Sequence, residues 1–340
     1  MTKHRWVIFV LVLCTAAGAF CVAGIPARIG RWRIEVGPAG NDFYDRSAPE
    51  KVGSSSIGGT KDKPPRNKKK FEGLLKKGLG EYRERFNFSN QIKRLGILPK
   101  NRDGSFRYVV MGDSRSNWDA FSSIVKHIDM LEPRPAFVIN SGDIVPHGYI
   151  TEYREYYVKA VKETDIPFFV AIGNHDDSSD SKAREYRYLF GVDSLNYYFD
   201  YGRNRFVFID TATKVNDEDD TLEWLDEVLG KTPKGFKKYV TAHKPPKVIE
   251  KWAYHAWGSD ESKVFVRLME KHKVSEVYLG HIHAYSTARL NGVRYTVSGG
   301  GGARLHGRYG PLGSVRHYLI CDIRADGSVK EQVVRFYEAK

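Results

Sequence analysis

Residues 108–115 read Tyr-Val-Val-Met-Gly-Asp-Ser-Arg. In this stretch a short apolar run is followed directly by a glycine and an aspartate. Consecutive apolar residues of this kind indicate a strand that is buried on both faces. The same order recurs at residues 137–143 and again at residues 167–176, where apolar runs lead into Gly-Asp and Gly-Asn-His-Asp. The repetition of an apolar strand followed by polar residues decides the fold class.

Helical patterns separate these strands. Apolar residues recur at helical spacing after the first strand, namely Trp118, Phe121, Ile124, Val125, Ile128 and Leu131, and residues 153–161 also read as a helix. Buried strands that alternate with helices predict an α/β fold with a largely parallel sheet covered on both faces. Later strands at residues 206–210, 239–242 and 277–279 extend the pattern, and short strands fill residues 295–336. Polar residues at the carboxyl ends of such strands form the active edge.

Five polar motifs follow the predicted strands: Gly112-Asp113-Ser114-Arg115, Gly142-Asp143, Gly173-Asn174-His175-Asp176, Ala242-His243 and Gly280-His281-Ile282-His283. Each motif alone has an ordinary structural explanation, because Gly-Asp and Asn-His-Asp commonly form turns and loops. The alternation of His281 and His283 places both imidazoles on one face of an extended segment, which indicates metal binding more directly. The order of all five at strand ends is the informative feature.

This order and spacing resemble the calcineurin-like metallophosphoesterase family over roughly residues 106–302. The resemblance implies a four-layer α/β/β/α sandwich of two mixed sheets. It also implies hydrolysis of a phosphate mono- or diester by attack of a metal-bound hydroxide. Two divalent ions would act together, and the carboxylate, amide and imidazole donors suit Mn, Fe or Zn.

The resemblance assigns a role to each motif residue. The implied metal ligands are Asp113 and His283 for the first ion, Asp143 as the bridge between the ions, and Asn174, His243 and His281 for the second ion. His175 would bind no metal but would contact the phosphate and protonate the leaving group. Asp176 would orient either that imidazole or its loop.

Arg115 departs from the family pattern, which has a histidine ligand of the first ion at this position. A guanidinium stays protonated and offers no lone pair to a metal. One possibility is that the first ion survives, with water, His147 or Tyr149 completing its ligands. His147 could instead contact substrate or lie at the surface. The purple acid phosphatase branch also lacks this histidine and uses a tyrosine shortly after the bridging aspartate, at an offset one residue from that of His147.

Two further possibilities concern the role of Arg115 and the loss of the first ion. Arg115 could hold substrate phosphate through its bidentate fork, or form a structural salt bridge to a site aspartate. Alternatively the first ion is lost, and the chain is a weak or inactive phosphoryl-ligand-binding protein that retains one metal. The presence of His175 argues against this alternative, because a binding protein has little need of an acid that is not a ligand. Occupancy of the first site therefore stays open.

Net charge is +13, which favours anionic partners such as a phosphorylated small molecule or a lipid. The sequence lacks the interleaved aromatic and basic residues of a nucleic-acid groove, so it disfavours a nuclease. The aromatic loop at residues 252–257 follows His243. It could either form a wall over the metals and contact substrate, or simply pack against the domain.

The N-terminus divides into three predicted segments. Residues 1–27 combine a basic start with a long uncharged run, which indicates either a cleaved signal peptide or an uncleaved membrane anchor. We therefore expect an exported or membrane-anchored protein with an extracytoplasmic catalytic domain. Residues 28–70 read as a basic flexible linker and residues 71–105 as an amphipathic extension that packs on the catalytic domain. The metallophosphoesterase domain is predicted over residues 106–340.

Overall fold

The computed structural model describes residues 27–39, 68–97, 101, 103–178, 182–213 and 218–338. The predicted signal peptide or anchor lies outside the described residues, apart from Ala27. Among the described helices, none combines the length and the apolar character that a membrane-spanning segment needs.

The described strands fall into two sheets. They are β1 (Arg28–Ile29), β2 (Trp32–Pro38), β3 (Phe106–Met111), β4 (Val138–Asn140), β5 (Phe168–Val170), β6 (Tyr197–Tyr201), β7 (Asn204–Phe208), β8 (Lys237–Thr241), β9 (Glu276–Leu279), β10 (Tyr285–Leu290), β11 (Val293–Ser298), β12 (Arg316–Ile323) and β13 (Val329–Glu338). The first sheet has the order β1-β2-β13-β12-β3-β4-β5, and the second has the order β10-β11-β9-β8-β7-β6. Strands β3, β4 and β5 are parallel, as are β7, β8 and β9, while β12 and β13 are antiparallel, so both sheets are mixed.

Helices cover the outer faces of the sheets. The helices are α1 (Lys68–Phe86), α2 (Phe88–Ile97), α3 (Trp118–Asp129), α4 (Ile150–Glu152), α5 (Lys159–Val161), α6 (Arg184–Phe190), α7 (Glu218–Gly230), α8 (Ser259–Lys271) and α9 (Gly310–Gly313). A π-helix spans Tyr153–Val158, and 3₁₀-helices span Glu250–His255 and Gly307–Tyr309.

The period-2 alternation of β3 shows how the layers form. Val109 and Met111 pack into one core with helices such as α1 and α3, whereas Tyr108 and Val110 point into the core between the two sheets. A third core lies between the second sheet and the helices α7 and α8. The predicted four-layer α/β/β/α sandwich of two mixed sheets is therefore confirmed.

The linker predicted from residue 28 is wrong for residues 28–38. Strand β2 pairs antiparallel with β13 along its length, and Trp32 and Ile34 are buried in the core of the first sheet. The alternation of Trp32 and Ile34 with Arg33 and Glu35 is a strand pattern, but its partner lies about 300 residues downstream. The sheet of the catalytic domain therefore begins well before residue 106.

The amphipathic extension packs on the catalytic domain, as the sequence predicts. Phe71, Leu75 and Leu79 of α1 are buried in the same core as Tyr153 and Tyr186. Helices of modest intrinsic propensity gain most of their stability from such packing of one apolar face.

Candidate metal centre

The predicted site residues meet at one edge of the fold. Asp113 follows β3, Asp143 follows β4 and Asn174 follows β5, and these three strands are parallel neighbours. In the second sheet, His243 and His281 follow the parallel neighbours β8 and β9. The carboxyl ends of both parallel sets therefore bring the motifs together, as expected for an open α/β sheet.

Three of the predicted ligands have left-handed backbones. The φ angles are +52° at Asp113, +56° at Asp143 and +65° at His281. Residues other than glycine rarely adopt this region, and such strain persists where surrounding contacts enforce it. Here the Asp113 amide donates to the Gly142 carbonyl at 2.9 Å, and the His281 amide donates to the Asp113 carboxylate at 2.9 Å. The strained turns hold these side chains in place.

Close approach of the loops also depends on a glycine. A Cβ at Gly173 would lie 2.3 Å from both the amide nitrogen and the Oδ1 atom of Asp143. Only a residue without a side chain allows the loop that carries Asn174 and His175 to contact the predicted bridging aspartate.

The first group of candidate ligands consists of Asp113, Asp143 and His283, whose ligand atoms all lie within 4.8 Å of one another and are buried. The Nε2 atom of His283 lies 3.4 Å from Oδ1 of Asp113. The Nδ1 atom of His283 is 2.7 Å from the Arg304 carbonyl oxygen, which can only accept, so Nδ1 donates. The lone pair of the neutral ring is thereby left on Nε2, the nitrogen that faces the carboxylates.

The second group surrounds the other side of Asp143. His243 donates from Nδ1 to the Ser141 carbonyl at 2.8 Å, which leaves the lone pair on Nε2. That Nε2 lies 3.3 Å from Oδ1 of Asp143 and 3.3 Å from Nδ1 of His281. The Oδ1 atom of Asn174 is buried without a hydrogen-bond partner. A buried unpaired amide oxygen and the two neighbouring imidazoles are donors of the kind that a divalent ion would satisfy.

The charges of the two central aspartates differ. Burial and the neighbouring charge of Asp143 hold the pKa of Asp113 well above its ordinary value. Burial alone would raise the pKa of Asp143, but His243, His175 and Arg115 lower it to about 2. The neighbouring imidazoles and Arg115 thus favour the charged form of Asp143, whereas burial and the charge of Asp143 disfavour the charged form of Asp113.

Burial favours the neutral form of the histidines predicted as ligands. Burial and then the neighbouring His243 lower the pKa of His281 to about 2. Burial and then the neighbouring His306 lower the pKa of His283 to about 3. Neutral imidazoles are the form that binds metals.

His175 differs from the ligands in its contacts. Its amide donates to Oδ1 of Asp143 at 2.9 Å, and its Nδ1 donates to the Pro146 carbonyl at 2.6 Å. The ring is therefore fixed with Nε2 as the nitrogen that can exchange a proton.

Asp176 organises the loops around the site. Its two carboxylate oxygens accept hydrogen bonds of 2.8–3.2 Å from the amides of Asp143, Ile144, Val145 and Gly173. The carboxylate thus ties the loop after β4 to the loop after β5. Of the two roles considered for Asp176, these contacts favour the orientation of the loop over the orientation of the His175 ring.

Arg115 lies against the bridging aspartate. Its Nε is 3.1 Å from Oδ2 of Asp143, and its backbone amide donates to the Asp143 carbonyl at 3.1 Å. The structure thus contains the salt bridge that the sequence left as one alternative. Contact between Arg115 and a substrate phosphate remains a prediction.

His147 lies at the rim. Its side chain is 63% exposed, and its Nδ1 pairs with Oε1 of Glu152 at 2.8 Å. Tyr149 stacks beside it, with ring centres 5.8 Å apart. Neither residue belongs to the buried group of Asp113, Asp143 and His283, so their role as extra ligands stays a prediction.

Sequence reasoning missed the tyrosines of the π-helix. Tyr153 donates its hydroxyl to the Asp176 carbonyl, and Tyr156 donates to the Ser114 carbonyl, each at 2.6 Å. The two tyrosines therefore anchor the loops that carry His175 and Arg115. A run of tyrosines within a helical pattern is a usable signal, because buried hydroxyls need partners, but the π-helical winding has no sequence pattern of its own.

Two further histidines near the predicted ligands were not identified from the sequence. The loop at residues 252–257 packs through Trp252, yet its His255 ring lies 5.7 Å from that of His281. The loop therefore packs against the domain and lies next to the site, while its contact with substrate stays a prediction. His306 lies 4.6 Å from His283 between ring centres, and no motif spacing points to it.

Comparison with known proteins decides the family. The family model for calcineurin-like phosphoesterases matches residues 106–285, which is more than half of the chain. The chain belongs to the calcineurin-like phosphoesterase family. This family comprises dinuclear metal enzymes, and the buried group of Asp113, Asp143 and His283 is a candidate metal site in this chain.

Two curated relatives are phosphodiesterases by name. A probable glycerophosphodiester phosphodiesterase GpdQ of Arcobacter nitrofigilis is 28% identical over 179 residues, covering 51% of this chain and 65% of the relative. The human acid sphingomyelinase-like phosphodiesterase 3b is 23% identical over 223 residues, covering 52% of this chain and 49% of the relative. The chain thus spans between about half and two thirds of these relatives.

Solved structures share the fold. Purple acid phosphatase PPD1 from yellow lupin superimposes with a TM-score of 0.56 at 17% identity, covering 69% of this chain and 54% of that one. GAP50, the anchor in the inner membrane complex of Plasmodium, gives a TM-score of 0.54 at 16% identity, covering 69% and 85%. At these identities the likeness concerns the fold alone.

Proposed function

We propose that this protein is a metal-dependent phosphoesterase that hydrolyses a phosphate mono- or diester with two divalent ions. The observation that carries the proposal is the convergence on Asp143. The buried Asp143 carboxylate lies within 4.8 Å of ligand atoms of both Asp113 and His283. Its Oδ1 is also 3.3 Å from Nε2 of His243, which in turn lies 3.3 Å from Nδ1 of His281. Buried acidic groups with oriented neutral imidazoles are a costly arrangement without cations, and they mark a functional site.

The residues divide into two ligand sets. Asp113, Asp143 and His283 would hold the first ion, whereas Asp143, Asn174, His243 and His281 would hold the second. When bound, Mn, Fe or Zn ions in such sets lower the pKa of water and neutralise phosphoryl charge. The carbonyls of Ser141 and Arg304 orient the His243 and His283 rings for this task.

His175 would serve as the general acid. Because its Nδ1 is committed to the Pro146 carbonyl, Nε2 would carry the proton that passes to the leaving alkoxide oxygen. Its amide contact with Asp143 keeps the ring at a fixed offset from the ligands. Asp176 would act as a positioning residue through the backbone amides that it holds.

Arg115 would add a fixed positive charge at the first-ion side of the site. Its Nε–Asp143 bond directs the guanidinium along the buried edge, where it can offset charge on a bound phosphoryl group.

The substrate would be a phosphodiester with a glycerol-derived or lipid-derived group. Both curated relatives carry phosphodiesterase names of that kind. The net charge of +13 suits an anionic substrate, and the 94% exposed Tyr254 next to His255 offers an apolar contact at the rim. We further propose that residues 1–27 direct the protein to export or anchor it in a membrane, with the catalytic domain outside the cytoplasm.

A second candidate function is binding of a phosphoryl ligand without turnover. The Arg115–Asp143 salt bridge favours it, because a guanidinium on the bridging carboxylate competes with the first ion. A protein of this kind would keep the second ion and bind phosphate through Arg115.

The test uses the full-length chain, because a truncation at residue 71 would remove strand β2 from the sheet. Hydrolysis of bis(4-nitrophenyl) phosphate and 4-nitrophenyl phosphate is followed with added Mn²⁺. We expect metal-dependent turnover that falls about 10²–10⁴-fold in His175→Ala. His272→Ala is the matched control, since that imidazole pairs with Asp226 outside the site. A wild-type protein that binds phosphate and Mn²⁺ but hydrolyses neither ester would support the binding function instead.

A further inference from the structure

His306 has an unexplained environment. Its Nδ1 atom is buried without a hydrogen-bond partner, although the residue lies beside the proposed ligands. Its ring centre is 4.6 Å from that of His283, and the two planes are tilted by 32°. A buried imidazole nitrogen that pairs with nothing loses its hydration, so its position needs a reason.

The spacing of the rings fits two ligands on one ion. A ring nitrogen about 2.1 Å from an ion places the imidazole centre roughly 3.2 Å away, so two rings at roughly 90–110° have centres about 4.5–5.2 Å apart. The proposed second-ion pair, His243 and His281, has centres 5.1 Å apart, and His283 and His306 are separated by 4.6 Å. Both separations are compatible with imidazoles that share an ion, and the His255–His306 pair has a similar separation of 5.0 Å.

Backbone contacts fix His306 beside the first-ion group. The His306 amide donates to the His283 carbonyl at 3.0 Å, while the Arg304 carbonyl accepts from the His283 ring at 2.7 Å. Upstream, the Ala303 amide donates to the Asp113 carbonyl at 2.8 Å. A Cβ at Gly302 would lie 2.0 Å from the Ser114 carbonyl oxygen, so only glycine lets this segment run along the Asp113 loop.

We propose that His306 is a ligand of the first ion, together with Asp113, Asp143 and His283. The inference rests on the proposed two-ion function and identifies a donor that the five motifs do not contain. The guanidinium of Arg115 has no lone pair, so the arginine cannot complete this set. His147, the other nearby candidate, has its Nδ1 paired with Glu152 and a 63% exposed side chain.

The test counts metal ions and does not depend on turnover. Full-length metal-free protein is titrated with Co²⁺, and bound ions are measured by calorimetry, by metal analysis after dialysis and by visible absorption. We expect two ions in the wild type. In His306→Ala and in the similarly sized His306→Gln, we expect one ion to bind unchanged and the other to bind at least about 100-fold more weakly. The retained ion reports that each variant is folded.

Two further variants make the result specific. His147→Ala should keep both ions with wild-type affinity. Because the side chain at position 115 reaches Asp143, Arg115→His in the His306→Ala background should restore tight binding of the second equivalent.

Two results would overturn the inference while the proposed function stands. One is a wild type with two ions whose His306 variants also bind two ions with unchanged affinity. The other is a His306→Ala variant with both ions and only a raised KM, which would make His306 a substrate contact. A wild type that binds no Co²⁺ would refute the proposed function itself.

Discussion

Two buried acidic clusters in this protein have opposite characters. The edge cluster consists of Asp113, Asp143 and Asp176 at the strand ends, with Arg115 against Asp143. The interlayer cluster consists of Glu276 and Glu331, and Arg294 pairs with both glutamates. In the interlayer cluster Thr296 also donates to Glu276, and Tyr278 donates to Glu331 at 3.2 Å.

The difference lies in how each cluster balances its charge. The interlayer glutamates share a cation and hydroxyl donors supplied by the chain, so the cluster is complete as it stands. In the edge cluster, three carboxyl groups accompany one described arginine, and Asn174 Oδ1 has no hydrogen-bond partner. A buried acidic cluster whose negative charge is not offset by other side chains of the protein is the one that requires bound cations.

The largest expected effect follows from neutralising the centre of the edge cluster. Asp143→Asn removes the carboxylate proposed to bridge both ions, so we expect phosphodiester hydrolysis to fall by about 10³-fold or more. Metal analysis should show loss of bound ions in the same variant. The matched change in the interlayer cluster, Glu276→Gln, should leave both activity and metal content near wild type. Equal losses of activity and of bound metal in the two variants would show that the two clusters do not differ in function.

Arg294→Met is expected to lower the stability of the protein and to leave its metal content unchanged. This change strips the interlayer glutamates of their cation, and breaking a buried ion pair costs about 3–5 kcal/mol of unfolding free energy. Urea unfolding measures the loss, and metal analysis of the remaining folded protein should still give wild-type content. A drop in metal affinity without a loss of stability would show that Arg294 serves the site.

The next prediction concerns the pH dependence of the unfolding free energy, to which Glu276 of the interlayer cluster contributes. Burial raises the pKa of Glu276 to about 7 from an ordinary value of 4.5. The folded state therefore binds this proton more tightly than the unfolded state. Its contribution to stability is complete below pH 4.5 and is lost as the pH rises through 7.

We expect the unfolding free energy of the wild type to fall by about 2–3 kcal/mol more than that of Glu276→Gln between pH 4.5 and pH 7.5. Urea unfolding of both proteins across this range makes the comparison. Parallel curves would show that Arg294 holds the glutamate charged in the folded protein.

The smallest effect is expected at the arginine of the edge cluster. Arg115→Met removes one charged hydrogen bond to Asp143, which should cost the metal-free protein roughly 1.5–3 kcal/mol. The same variant should bind the first ion more tightly, because a competitor for Asp143 is gone, and should show a raised KM for the phosphodiester. Calorimetric titration and steady-state kinetics test the two effects. An unchanged KM would argue against a phosphate contact.

The parts of the site that follow strands directly were predictable from the sequence. Asp113, Asp143 and His281 each come two or three residues after a buried strand, so local pattern and the geometry of parallel sheets suffice to bring them together. Strand β2 was missed because its partner β13 is remote in sequence. His306 was missed because its approach to His283 depends on tertiary contacts of the glycine-rich segment, which leave no spacing signature.

The central claim is that the edge cluster is a two-ion hydrolytic site. Its most direct test is a titration of metal-free full-length protein with Mn²⁺, in which calorimetry and hydrolysis of bis(4-nitrophenyl) phosphate are followed on the same sample. We predict two bound ions, hydrolysis that appears as they bind, and complete loss of activity on chelation. Hydrolysis that continues undiminished in excess chelator, or a protein that binds no Mn²⁺, would contradict the claim.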